Sequence, residues 1–288
     1  MKYLGLSIFG ILRRRFWTQV DVARYYSRHL LLNLPVLRKT KKLQNSKRGT
    51  RAFVFANGPS VRKLSPEKVR SFQQEGFDIF AVNSYFHSEM SKVVLPDYYV
   101  LSDPAYFGHT VGLSDQRKQE AANDLSKIIE NNCVLFVPTE FYSTLDYSNK
   151  YAFCDAENIF SSNASDITRP RGYLSMTAYK ALSIACFLGY ESIYICGFDN
   201  NYFKTFVSDI DNRLYIEDVH FYDSTRQRRY VEPNSFGWGD GSVGQALYLH
   251  HLLFEQLRKF ARYPITNLDP EGLVDCFNKH HNLNIYND

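Results

Sequence analysis

The sequence lacks any apolar run long enough to cross a membrane. Met1 to Gly10 is apolar, but only about a dozen residues precede Arg13-Arg14-Arg15, short of the roughly 20 that a spanning helix needs. No small-residue cleavage site follows that would make the opening a signal peptide. A disulfide framework is also missing: the five cysteines (133, 154, 186, 196, 276) are odd in number and form no CxxC pair, which points to a reduced, cytoplasmic chain. The eight histidines form neither HExxH nor HxxxH, and neither an acidic metal cluster nor a P-loop lysine is evident, so no metal site is expected. Acids are almost absent from the first 51 residues, where 13 Lys/Arg stand against Asp21 alone, a net +12, whereas the remainder, with 21 bases and 29 acids, carries −8. An acidic body without a recognisable binding module excludes nucleic acid as the partner of this basic segment.

What is present is the material of a folded α/β chain: 288 residues, 44% hydrophobic and 16% aromatic. Residues 1–50 interleave Phe16, Trp17, Val20, Val22, Tyr25, Tyr26 and Leu30 to Leu32 with Arg24 and Arg28, ending in Arg38-Lys39-Thr40-Lys41-Lys42. Rings, aliphatics and bases at these spacings predict a helical basic arm lying on an anionic inner-membrane surface, with the protein cytoplasmic and peripheral. Gln44 to Arg51 reads as a linker, and residues 51–288 as the main domain.

From residue 52 on, short apolar runs alternate with helical patterns. Ala52–Ala56, Asp78–Val82, Tyr98–Leu101, Cys133–Val137 and Ser192–Cys196 read as buried strands. Ser65-Pro66-Glu67 is a helix start, and a helix from about Ser175 to Leu188 ends at Gly189, where a left-handed residue is wanted. Strands separated by helices and lacking polar alternation predict a parallel, doubly wound, Rossmann-like sheet with helices on both faces. In such sheets ligands sit beyond the carboxyl ends of the strands, so the residues just past each strand are the candidates.

Past the first strand stands Asn57-Gly58-Pro59-Ser60, a turn that bares amides at a helix entrance and suits a phosphate or nucleotide edge; a plain βα turn would look the same. Asn83 and Ser84 follow the second strand, Ser102 and Asp103 the third, and Gly197-Phe198-Asp199 the last. Together they predict a hydrogen-bonding rim suited to a ribose and a base. His220, between Asp218 and Tyr222, is the general-base candidate, since imidazole takes a proton near neutral pH.

The blocks Val54–Ser60, Val82–Phe86 and Ser175–Gly189 running into Ile193–Asp199, with His220-Phe221-Tyr222 and Asn267–Val274, resemble in order and spacing the bacterial sialyltransferases of glycosyltransferase family 42. The first block is shared by a wider clan that includes pterin diphosphokinase-like proteins and flagellin-modifying glycosyltransferases. The resemblance spans roughly residues 52 to 277. It implies one nucleotide-binding α/β domain with a lid at about residues 200–240, and inverting transfer from a CMP-sugar donor to a cell-surface glycan or glycolipid, with no obligatory cofactor or metal. Asn57, Gly58 and Ser60, with Pro59 shaping the turn, would meet the CMP phosphate and ribose, and Asn83 the cytidine or sugar. Asp103, beside Ser102, stands where the family has Asn. Thr177, or nearby Ser175, would hold the donor, Gly197 and Asp199 would complete the rim, and His220 would be the base. The family sets two Tyr hydroxyls on the leaving phosphate; here Tyr202 is near the expected spacing, with Tyr215 and Tyr222 as substitutes. Kdo or another nonulosonate on CMP suits these departures nearly as well as sialic acid. The rivals are an ATP- and Mg²⁺-dependent pterin diphosphokinase-like transferase and a non-catalytic nucleotide-binding protein at the membrane; a homo-oligomer is compatible with all three.

Overall fold

The computed structural model describes residues 16–17, 19–20, 22–23, 27, 31–108, 113–156, 164–171, 174, 176–218, 227–231 and 243–287. In chain order the main elements are α1 (Leu31–Lys41), β1 (Arg51–Phe55), α2 (Pro66–Gln74), β2 (Phe77–Val82), β3 (Tyr98–Val100), α3 (Asp115–Glu130), β4 (Val134–Pro138) and β5 (Lys150–Phe153). They continue with α4 (Thr177–Leu188), β6 (Ser192–Cys196), β7 (Phe206–Ser208), β8 (Leu214–Asp218), β9 (Gln227–Val231), α5 (Val243–Arg258) and β10 (Ile265–Asn267).

Seven strands form one sheet in the order β10-β6-β1-β2-β3-β4-β5, and every pairing in it is parallel. The predicted α/β class is what the chain adopts. Because side chains alternate across a strand, the sheet feeds two apolar layers. Val54, Phe80, Val82, Val100 and Phe136 pack with α4 and with Leu257 and Phe260. On the other face Phe53, Phe55, Ile79, Tyr99 and Leu135 pack with Val69 of α2 and with Ala121 and Ile128 of α3. Helix α4 is buried along its whole length, which its Ala- and Leu-rich composition permits, and Gly189 ends it in the left-handed conformation at φ 83°.

Residues 31–50, expected to form part of the arm and the linker, contact the edge of the sheet and the end of α4. β5 is an edge strand, and α1 covers it: Leu37 is buried, the buried Thr40 hydroxyl donates to Ala152 O at 2.8 Å, and Lys39 Nζ donates to Lys150 O at 3.1 Å. The predicted linker instead caps α4, as the amides of Asn45 and Lys47 donate to Phe187 O and Leu188 O at 3.0 Å each, satisfying carbonyls that a helix end leaves over. Lys41 and Lys47 pair with Asp166 (3.0 Å) and Asp78 (2.9 Å), so part of the basic charge read as lipid-facing serves the fold. Among the described residues no helix is long and apolar enough to cross a membrane.

Within the stretch expected to form a lid, β7, β8 and β9 build a separate three-stranded antiparallel sheet. Strand β5 and strand β10 were not anticipated either. Both are short, and β5 opens on a lysine.

Truncating Leu37→Ala is expected to lower the unfolding free energy by about 2–4 kcal/mol, because α1 is part of the core. Urea denaturation followed by circular dichroism measures it. An unchanged midpoint would mean that α1 is a detachable arm after all.

Candidate functional site

The strand order reverses direction between β1 and β6, and the loops that follow these strands meet there. Two glycines allow the meeting. A Cβ on Gly58 would lie 1.9 Å from Asp199 Oδ2, and one on Gly197, which sits at φ 80°, would lie 2.5 Å from Ala56 O. In the gap so made, the Ser60 amide donates to Asp199 Oδ1 at 3.1 Å and the Ser60 hydroxyl to Asp199 Oδ2 at 2.9 Å. The Gly197 amide in turn donates to Ser60 Oγ at 3.0 Å. Pro59 opens the 3-10 turn Pro59–Lys63 that presents these groups. The amide and hydroxyl of Ser60, expected to face a donor phosphate, therefore face the chain's own carboxylate. Burial pushes the Asp199 carboxyl above its ordinary value; the Ser60 hydrogen bonds oppose this and the neighbouring Asp269 reinforces it.

Asn57 and Asn83 each hold a buried side-chain Oδ1 with no hydrogen-bond partner. Asn57 lies two residues past the end of β1 and Asn83 one residue past the end of β2, which pairs with β1 in parallel. Asn83 adopts φ 47°, a left-handed conformation that asparagine tolerates, and Tyr99 Oη donates to its carbonyl oxygen. Beside them the Ser102 and Thr177 hydroxyls are 2.7 Å apart, tying the end of β3 to the first residue of α4. Here α4 has no side-chain cap and no acid in its first turn, so its electropositive end is uncompensated by the helix's own residues.

Asp103 belongs to the neighbouring turn. Its Oδ1 accepts from the Ala105 amide at 2.9 Å and its Oδ2 pairs with Arg117 at 3.2 Å. Behind it, burial pushes the Tyr106 hydroxyl up to about 12, and that hydroxyl donates to the fully buried Asp124 at 3.3 Å. His87 Nε2 lies 2.9 Å from the other Asp124 oxygen.

The structure joins Ser102 to Thr177 and Tyr99 to Asn83, and locks Gly58, Ser60, Gly197 and Asp199 into a clamp between the turns after β1 and β6. Tyr202 begins the turn Tyr202–Thr205. His220, Tyr222 and Ser175 lie outside the described residues. Sequence reading missed Lys180, whose ammonium pairs with Asp155 at 2.6 Å, and Tyr179, whose hydroxyl bonds Asn200. Lys180 falls three residues after Thr177, so its helical spacing could have flagged it. Asp155 was invisible because β5, which it follows, was not read as a strand.

No family model matches the chain. A stretch of 100 residues is 33% identical to an uncharacterized protein from Treponema pallidum (strain Nichols), covering 34% of this chain and 47% of that one. The MAf glycosyltransferase from Magnetospirillum magneticum AMB-1 is similar at a TM-score of 0.47 and 12% identity, over 84% of this chain and 37% of that chain. Each match therefore spans less than half of the protein it is made to.

Because burial raises Asp199, the folded chain holds its proton more tightly than the unfolded chain does. The stabilisation from that proton is complete below the ordinary value of 3.8 and is lost as pH rises through the raised one. Asp199→Asn removes this component, so the unfolding free energy of the wild type relative to the variant should fall as pH rises. Denaturation at a series of pH values tests it, and a difference that grows with pH would contradict the assignment.

Proposed function

We propose that the chain is a glycosyltransferase that binds a nucleotide-activated sugar at the carboxyl edge of the parallel sheet. The observation that carries the reading is the pair of buried, unpartnered carbonyl oxygens on Asn57 and Asn83, in the turns that follow the parallel neighbours β1 and β2. Unpaired buried acceptors are costly, and a ligand bearing hydroxyl or amino donors would satisfy them. Ribose and sugar hydroxyls fit that need. The uncapped entrance of α4, next to the Ser102–Thr177 pair, would receive the phosphate.

The donor in this reading is a CMP-sugar, sialic acid or a related nonulosonate such as Kdo, because the sequence blocks at the rim resemble those of the bacterial sialyltransferases. The acceptor hydroxyl attacks the anomeric carbon from the face opposite the nucleotide. The bond from that carbon to the phosphate oxygen breaks, and CMP departs with the electron pair. Hydroxyls such as those of Tyr202 and Tyr222 would stabilise the departing phosphate, each contributing on the order of a few kcal/mol. His220 would take the acceptor proton, a contribution of about 10²–10⁴ in rate. Exposed Phe16 and Trp17, 62% and 51% accessible and packed edge to face, support a membrane-facing N-terminus where a glycolipid acceptor would be met.

A thermal-shift series over cytidine, CMP, CTP and ATP should give a cytidine-selective rise, since a ligand that binds only the folded chain stabilises it. Selectivity for ATP with Mg²⁺ would instead favour a diphosphokinase-like transferase. Asn83→Gly, which keeps the left-handed backbone and removes the amide, should weaken CMP binding by about 5- to 150-fold, from a hydrogen-bond loss of about 1–3 kcal/mol. His220→Ala should abolish transfer with CMP affinity nearly unchanged, and near-full turnover would remove His220 from the mechanism.

A further inference from the structure

Every residue of α4 is buried, and three polar ones, Thr177, Lys180 and Ser183, recur at intervals of three down one side from the entrance. Thr177 meets the Ser102 hydroxyl, and Ser183 donates to Ala164 O and accepts from Arg171 Nη1. Lys180 differs from both. It is only 8% exposed, yet its ammonium carries three donors, and among the described residues Asp155 Oδ2, at 2.6 Å, is its one acceptor.

Stability alone does not account for this placement. Taking an ammonium and a carboxylate out of water costs several kcal/mol per ion, on the order of what their attraction returns. A cation in the first turn also opposes the helix dipole, whose amino end favours acids. Yet α4 has no acid in its first turn and no side-chain cap, so donors and positive charge accumulate at one point. That point lies beside the carboxyl ends of β3 and β5. Asp155 stands two residues past the end of β5, and Thr177, one turn before Lys180, touches the residue that follows Leu101 at the end of β3.

We propose that Lys180 is an anion-binding residue of the site, its ammonium resting on Asp155 until an anionic oxygen of the ligand arrives at the entrance of α4. This rests on the nucleotide-sugar reading for the identity of the ligand, and its chemistry is that of a phosphate or a sugar carboxylate. With acceptors supplied by Asn57 and Asn83 on β1 and β2, and donors by Lys180 on α4, the rim is divided: hydroxyls on one side, negative charge on the other. Asp155 neutralises the lysine in the empty site and leaves two ammonium donors for the ligand.

The test uses the full chain and compares wild type, Lys180→Met, Asp155→Asn and the double variant Lys180→Met/Asp155→Leu by calorimetry. The probes are inorganic phosphate, cytidine, CMP and CMP-sialic acid. Lys180→Met should weaken phosphate and CMP binding by about tenfold or more, the scale of a lost charged hydrogen bond, and leave cytidine unchanged. Asp155→Asn should bind phosphate at least as tightly as the wild type, an outcome that loss of a merely structural ion pair would not give. The double variant, free of an orphaned buried charge, should fold and still bind weakly, which separates recognition from folding. A loss confined to CMP-sialic acid would identify the anion as the sugar carboxylate. If wild type binds phosphate through Lys180 but ignores the cytidine compounds, the nucleotide reading fails and this assignment stands. If the wild type binds none of the anions, or the double variant binds them as the wild type does, the assignment is overturned.

Discussion

The contact between the loops that follow β1 and β6 is the constraint on which the rest of the architecture depends. β1 is flanked by β6 on one side and β2 on the other, so its position sets both halves of the sheet. Its outgoing turn is held against β6 by the Ser60–Asp199 hydrogen bonds and by close backbone approach at Gly58 and Gly197. A side chain at either glycine would separate the two loops. The clamp thus uses the polar groups of Ser60 and Asp199, while the Asn57 oxygen in the same turn and the Asn83 oxygen in the next stay unmatched.

Helix α4 couples that rim to the far side of the molecule. Its carboxyl end is closed by the amides of Asn45 and Lys47, and its amino end is left without a cap. A helix with both ends satisfied would be a structural strut; one satisfied at a single end places its remaining electrostatic demand where Thr177 and Lys180 stand. By covering the β5 edge and the carboxyl end of α4, the segment from Leu31 to Lys47 anchors that helix.

The burial of the sheet on both faces also explains where polar residues can be. Interior polar groups such as Thr40 and Ser183 are matched to backbone carbonyls, and Asp124 is matched to His87 and Tyr106. Three asparagines at or just past strand ends, Asn57, Asn83 and Asn267, each keep a buried side-chain atom without such a match.

The sequence by itself determined the parallel α/β class, four of the strand cores to within a residue or two, Ser192–Cys196 outright, and the rim positions, because buried strands must be apolar and the turns after them polar. Short strands β5 and β10, with too few residues to show a pattern, stayed hidden, and with them went Asp155. Only tertiary structure decided that Ser60 and Asp199 face each other, that Lys180 meets Asp155, and that residues 31–50 belong to the body. Local composition fixes what a residue can bond to. Which bond it makes depends on segments distant in the chain, 25 residues away for Lys180 and 139 for Ser60, brought together by the order of the strands.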